Sequence, residues 1–172
     1  MRADVEAGLS RHDLQHRLPA GSARNVLDCA LWRLDAAQAN QTLWQMSRCF
    51  QPASVVTAET LSLDTQENMA LAAVDAMSRG AILLKIKLDR SEILEKVAAI
   101  RAAAPHATLI IDANEAWSGL ELESLLAALK AFNIAMVEQP LAAGQDHELQ
   151  RFQHPIPVCA DESCHTRADI AG

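Results

Sequence analysis

The feature that most constrains this chain is a ladder of short β-type runs, each followed by turn residues and a segment of helical length. The runs are Ser54 to Ala58, Ile82 to Lys87, Thr108 to Asp112, Ile134 to Glu138 and Pro157 to Asp161. Intervals of about 25 residues are too long for hairpins, so the strands must be joined by crossovers that make neighbours parallel and put helices outside. The predicted class is α/β. Start signals for the intervening helices are read at Asp64 with Glu67, Asp89 with Glu92, and Ser118 with Glu121. Gly80 is a stop for the first helix, and Pro105 follows the second. Residues 1–50 read as helical, with Ser22 as an N-cap for a periodic segment reaching Asn40 and a short helix over Leu43 to Phe50.

Composition narrows the function. Half of the 172 residues are hydrophobic and 22% are charged, which is the balance of an ordinary globular domain. A net charge of -7, with Lys and Arg scattered, leaves no footprint for nucleic acid. The apolar stretches are strand-sized, far short of the roughly 18 residues that suggest a membrane span. Met-Arg-Ala-Asp-Val-Glu at the start lacks the basic and apolar regions of a signal peptide, so a cytoplasmic location is expected. Cys29, Cys49, Cys159 and Cys164 form no CxxC pair and are expected to be buried thiols, not disulfide or zinc ligands. Thr57-Ala58-Glu59-Thr60 stands where a dinucleotide-binding fold needs a Gly-rich turn after its first strand.

Charge placement points to an active site. The second to fifth runs end in Lys85 and Lys87, Asp112, Glu138 and Asp161, and the steps from Lys87 onward are 25, 26 and 23 residues. Each is therefore expected at the C-terminal end of a parallel strand, which is the catalytic face of a barrel. A single acid at a strand end is as well explained by helix capping or a surface ion pair. Three in register with a lysine pair are better explained by a site. Converging carboxylates call for a hard dication with oxygen ligands, and Mg²⁺ is the default because no His or Cys joins the set. Lys85 and Lys87 lie two apart and point to one side of a strand that Ile82, Leu83, Leu84, Ile86 and Leu88 predict to be buried on both faces. A lysine driven toward neutrality by burial and a like-charged neighbour can act as a general base. The set suggests proton abstraction next to a carboxylate.

Leu84-Lys85-Ile86-Lys87-Leu88-Asp89, Ile111-Asp112-Ala113-Asn114-Glu115-Ala116-Trp117, Val137-Glu138-Gln139-Pro140-Leu141 and Cys159-Ala160-Asp161-Glu162-Ser163 resemble, in order and spacing, the strand-end motifs of the enolase superfamily, muconate-lactonizing subgroup. Ser22 to Trp32 resembles the helix that leads from that family's capping domain into its barrel. The continuation Cys164-His165-Thr166 is most similar to dipeptide epimerases of the L-Ala-D/L-Glu type. The resemblance covers roughly residues 20–172. It implies a partial (β/α)8 TIM barrel, strands one to five over residues 51–172, preceded by a helical remnant of a capping domain over residues 1–50.

The resemblance further implies that Asp112, Glu138 and Asp161 bind Mg²⁺, that Lys87 is one of two acid/base catalysts working through an enediolate, and that Lys85 stabilises the enolate. A Lys base with Mg²⁺ is the recognised pattern of enolase-superfamily sites. Asn114 and Glu162 would support a ligand or a lysine, though ordinary strand-end hydrogen bonding explains them nearly as well. His165 is read equally as a loop residue or a substrate contact, and Trp32 and Trp117 as packing residues. The family's strands six to eight, with the second lysine and the acids that hold a dipeptide's ammonium group, have no counterpart here. The chain is thus expected to be a fragment, inactive alone, with two open sheet edges prone to self-association. Alternatives are an o-succinylbenzoate synthase or muconate cycloisomerase of the same superfamily, or a noncatalytic metal-binding piece.

Overall fold

In the computed structural model, which describes residues 2–171, the chain divides into two compact units, one ending at Val55 and the other starting at Val56. The first holds α1 (Arg2–Glu6), α2 (Arg11–Arg17), α3 (Ser22–Gln38) and α4 (Leu43–Met46). Ser10 caps α2 by accepting the Asp13 N–H. Leu14, Leu31 and Ala36 are its buried apolar side chains. The Arg11 guanidinium stacks 3.6 Å over the half-buried Trp32 ring and bonds Asp35 at 2.6 Å. Two boundaries differ from expectation. Gly21, not Ser22, is the N-cap of α3, and α4 is one turn set by a Thr42–Gln45 capping box instead of running to Phe50, which is 98% exposed.

The second unit is one sheet of five parallel strands in the order β1-β2-β3-β4-β5. They are β1 (Glu59–Leu61), β2 (Leu83–Lys87), β3 (Thr108–Asp112), β4 (Ile134–Glu138) and β5 (Val158–Cys159). α5 (Gln66–Ser78), α6 (Ile93–Ala103) and α7 (Leu122–Leu129) make the crossovers up to β4, while β4 reaches β5 through only a 3-10 turn over Asp146–Arg151. The expected first strand, Ser54 to Ala58, is irregular. Val55 there is 87% exposed, because pairing begins only where Glu59 meets Leu84 and Leu61 enters the core. β propensity without a partner strand makes no strand. The residues after the true β1, Ser62-Leu63-Asp64-Thr65, still contain no glycine.

Period-2 alternation sorts the sheet's two faces. Leu84, Ile86, Leu109, Ile111 and Val137 are fully buried against Met69, Ala73, Val97, Ile100 and Leu126 of the helices. Each such side chain contributes about 1.5–3 kcal/mol on burial. The other face carries Lys85 and Lys87, half-buried, so β2 is not buried on both sides as its apolar neighbours suggested. Arg101 staples the end where β3 and β4 begin, donating to the carbonyls of Ala107 at 2.7 Å and Phe132 at 3.0 Å.

The predicted stops hold: α5 passes its C-cap Arg79 into Gly80 at φ +91, where glycine is favoured, and α6 ends at Ala104 before Pro105. The starts shift by one to three residues. Thr65 caps α5 by accepting the Asn68 N–H, Glu92 precedes α6 in a left-handed conformation, and Glu121 precedes α7. Asp64 and Asp89 bond instead to their own loops, Asp64 to the Thr65 N–H and Asp89 to the Ser91 N–H and hydroxyl, while Ser118 reaches across to Gln145 in the loop after β4. All four cysteines are free and exposed, not buried. Among the described residues, no helix is long and apolar enough to cross a membrane.

Candidate active site

Parallel strands bring their C-terminal ends to one rim, and the charged side chains of β2, β3 and β4 meet there. Register sets Lys87 beside Asp112 and Asp112 beside Glu138. Lys85 Nζ donates to Glu138 Oε1 at 2.8 Å and lies 2.9 Å from Asp112 Oδ2. Lys87 Nζ donates to the same Asp112 oxygen at 3.0 Å and to Asn114 Oδ1 at 2.6 Å. Asp112 is 1% exposed and also accepts the Asn114 backbone N–H at 3.1 Å. Asn114 Nδ2 continues the chain to Glu162 Oε1 at 3.2 Å. A recess of about 240 Å³ is lined by Lys87 and Asn114 together with Leu63, Leu88, Ala113 and Ala116.

Burial disfavours the charge on Lys85, but its bonds to Glu138 and Asp112 outweigh that and hold its pKa well above the ordinary lysine value. Burial likewise works against ionised Asp112, yet hydrogen bonds from Lys85, Lys87 and the Asn114 N–H keep its carboxyl below the usual range. At Lys85, therefore, the drive toward neutrality expected from the sequence is reversed, because carboxylates stand within 3 Å of the amine.

Asp161 does not share the register of the other three. Glu138 pairs with Cys159, which places Asp161 two residues past the end of the ladder, exposed and with no hydrogen bond or ion pair from its carboxylate to the described residues. No three His, Cys, Asp or Glu side chains among the described residues are gathered as a ready metal cage. The donor chemistry nevertheless suits a dication. Asp112 and Glu138 pair with Lys85 and Lys87, while Asp161 and Glu162 follow β5 with no lysine paired to them among the described residues, so the strand ends carry a formal excess of two negative charges. Glu162 Oε2, moreover, is buried without a hydrogen-bond partner. Oxygen donors with that excess fit Mg²⁺.

Three supporting side chains carried no signal in strand spacing. Lys96, 4% exposed, reaches Ser91 and Asp89 in the loop after Lys87, and the fully buried Trp117 donates its indole N–H to the Asp89 carbonyl at 3.0 Å. Gln139 is buried between β4 and the loop after β5. Each lies next to a charged strand end in sequence or space, but only the tertiary contacts separate them from ordinary core and turn residues. His165 is exposed, and its backbone N–H bonds Asp169.

A profile of the Enolase C-terminal domain-like family matches residues 68–171. The chain belongs to that family. Two curated relatives of this enolase-type chain are the L-Ala-D/L-Glu epimerase of Escherichia coli, 48% identical over 96% of the chain and 52% of the relative, and the N-acetyl-D-glutamate racemase of a Pseudoalteromonas species, 47% identical over 92% and 49%. Both names are those of isomerases. Among solved structures, the dipeptide epimerase of Cytophaga hutchinsonii, complexed with Mg and D-Ala-L-Val, superposes with a TM-score of 0.76 at 31% identity, over 84% of this chain and 40% of that one. The chain spans about half the length of the relatives it matches, and its five-stranded sheet corresponds to part of the enolase-superfamily barrel.

Proposed function

We propose that this chain contributes one half of a Mg²⁺-dependent epimerase site that inverts the α-carbon of a glutamate-type residue in a dipeptide. The single observation that supports it most is the convergence of Lys85 and Lys87 on Asp112, with Lys85 also on Glu138, each contact within 3.0 Å, at the C-terminal rim of parallel strands. Lys87 is the group that takes or returns the α-proton on one face of the substrate, steered by its 2.6 Å bond to Asn114. Lys85, held charged between two carboxylates, places a fixed positive charge where negative charge develops as the enediolate forms. Asp112, Glu138 and Asp161 would hold the ion, with Asn114 and Glu162 supporting Lys87. When bound, Mg²⁺ supplies further positive charge beside the substrate carboxylate.

The second acid/base lysine is not among these strands, so the proposal concerns the protein that carries them together with the rest of the barrel, and the 172-residue chain alone is not expected to turn over substrate. Residues 1–50 are read as belonging to a capping domain and residues 51–172 as the first five β/α units. Four exposed free thiols suit a reducing cytoplasm. The test is exchange in ²H₂O. Deuterium should enter the α-position of the glutamyl residue of L-Ala-L-Glu, and Lys87→Ala should abolish it. No exchange from a folded, Mg²⁺-loaded full-length protein overturns the reading. The near-equal identity to an N-acetylglutamate racemase favours a second reading, the same half-reaction on an N-acylated glutamate. Parallel exchange rates on L-Ala-L-Glu and N-acetyl-glutamate decide between them, while dehydration of a cyclohexadiene carboxylate without exchange into either would indicate the o-succinylbenzoate synthase alternative.

A further inference from the structure

Of the three acids read as metal ligands, Asp161 is the one the sheet does not position. Asp112 and Glu138 sit on β3 and β4 and are fixed by the ladder, whose last rung to β5 is the Gln139 N–H donating to the Cys159 carbonyl at 2.8 Å. Beyond that rung a single side chain takes over. Gln139, 1% exposed, uses Oε1 to accept the N–H groups of Asp161 at 2.8 Å and Ser163 at 3.1 Å. Its Nε2 donates to Ser163 Oγ at 2.9 Å and the Leu141 carbonyl at 2.8 Å, with a longer contact of 3.4 Å to Asp146 Oδ1. The turn is closed from within by the Cys164 N–H on the Asp161 carbonyl at 2.9 Å.

An amide offers two donor hydrogens and two acceptor lone pairs. All four find partners here, which neither a carboxylate nor an apolar side chain of the same length could provide. A glutamate would meet the Leu141 carbonyl without a proton to give and add charge beside Asp161. An apolar residue would leave the N–H groups of Asp161 and Ser163, both partly buried, without their acceptor and so loosen the turn.

We infer that Gln139 is a positioning residue for the metal site: its buried amide fixes the backbone of Asp161 to Ser163, and so sets the place past β5 from which the Asp161 carboxylate would join Asp112 and Glu138 on an ion. The inference rests on the reading of Asp112, Glu138 and Asp161 as ligands. Groups that orient metal ligands typically change affinity by about 10- to 100-fold when removed.

The test measures Mn²⁺ binding by electron paramagnetic resonance, with Mg²⁺ as competitor, on the protein and its Asp161→Asn, Gln139→Met and doubly substituted forms, with folding checked by circular dichroism. Asp161→Asn should weaken binding about tenfold or more, Gln139→Met should do so by a comparable factor, and the double variant should be no weaker than Asp161→Asn alone, because Gln139 acts through Asp161. A general structural role would instead add its loss to that of Asp161→Asn, and either such additivity or unchanged affinity in folded Gln139→Met overturns the inference while leaving the ligand reading standing. Unchanged affinity in Asp161→Asn overturns the ligand reading itself. If Gln139→Met does not fold, Ser163→Ala, which removes one contact of the amide, carries the same test. It should weaken Mn²⁺ by about threefold in the Asp161 background and not in Asp161→Asn, and no effect in the Asp161 background overturns the inference.

Discussion

Replacing Lys85 by Met tests the electrostatics of the rim without touching the apolar core. The substitution keeps the length of the aliphatic stem and deletes one cation that sits 2.9 Å from Asp112 and 2.8 Å from Glu138. Asp112 is 1% exposed, so it cannot recover water in place of the amine. Breaking a fully buried pair by removing one partner costs about 3–5 kcal/mol. Two features reduce that here. The Lys85 side chain is 22% exposed, and Lys87 remains 3.0 Å from the same Asp112 oxygen. A loss of about 2–3 kcal/mol is therefore expected for Lys85→Met in urea unfolding without divalent metal. Asp112→Asn in the same background should return most of it, since an amide no longer needs a compensating charge, giving a coupling near 2 kcal/mol in the double-mutant cycle. If Lys85→Met unfolds within about 0.5 kcal/mol of wild type, or the two substitutions are additive, the amine is not compensating a desolvated carboxylate and the charge argument fails.

Arg101→Met should cost about 2 kcal/mol in the same assay, because its two short bonds, to the carbonyls of Ala107 and Phe132, are charge-assisted but lie at a half-exposed end of the sheet where water replaces part of the loss; no change would show that water serves those carbonyls equally well. The Asp89 carboxyl is held below its ordinary pKa chiefly by the Ser91 hydroxyl, then by the Ser91 N–H. A depressed folded-state pKa means stability that is present above the unfolded carboxyl value and disappears as pH falls through the folded one. The gap in melting temperature between wild type and Asp89→Asn should accordingly close below about pH 4, and a gap that persists into strong acid contradicts the assignment. β1 and β5 each pair on one side only, so the 172-residue chain should sediment as a concentration-dependent mixture of associated species. A sharp monomer with a cooperative melt would show the edges to be harmless.

The sequence by itself determined the features that depend on local periodicity. The recurrence of apolar runs at about 25 residues required parallel strands, and β3 and β4 occupy the predicted Thr108–Asp112 and Ile134–Glu138. Side-chain alternation along one strand is a property of that strand alone, so Lys85 and Lys87 could be assigned to one side, and Asp112 and Glu138 to strand ends, before any partner was known. Tertiary structure decided whatever depends on a neighbour. The first strand begins at Glu59 because that is where Leu84 waits, although Val55 and Val56 carry the stronger β propensity. Asp161 falls two residues beyond the ladder because Cys159 pairs with Glu138, an offset that a count of 23 residues cannot reveal when the intervening crossover is a 3-10 turn and not a helix. Lys85 is charged and not driven toward neutrality because two acids 27 and 53 residues further along the chain arrive within hydrogen-bonding distance. Gln139 is, in the sequence, one residue of the Val137-Glu138-Gln139-Pro140-Leu141 string with no role of its own. Only the folded chain surrounds it with two N–H groups, a hydroxyl and a carbonyl that none of its sequence neighbours alone could supply.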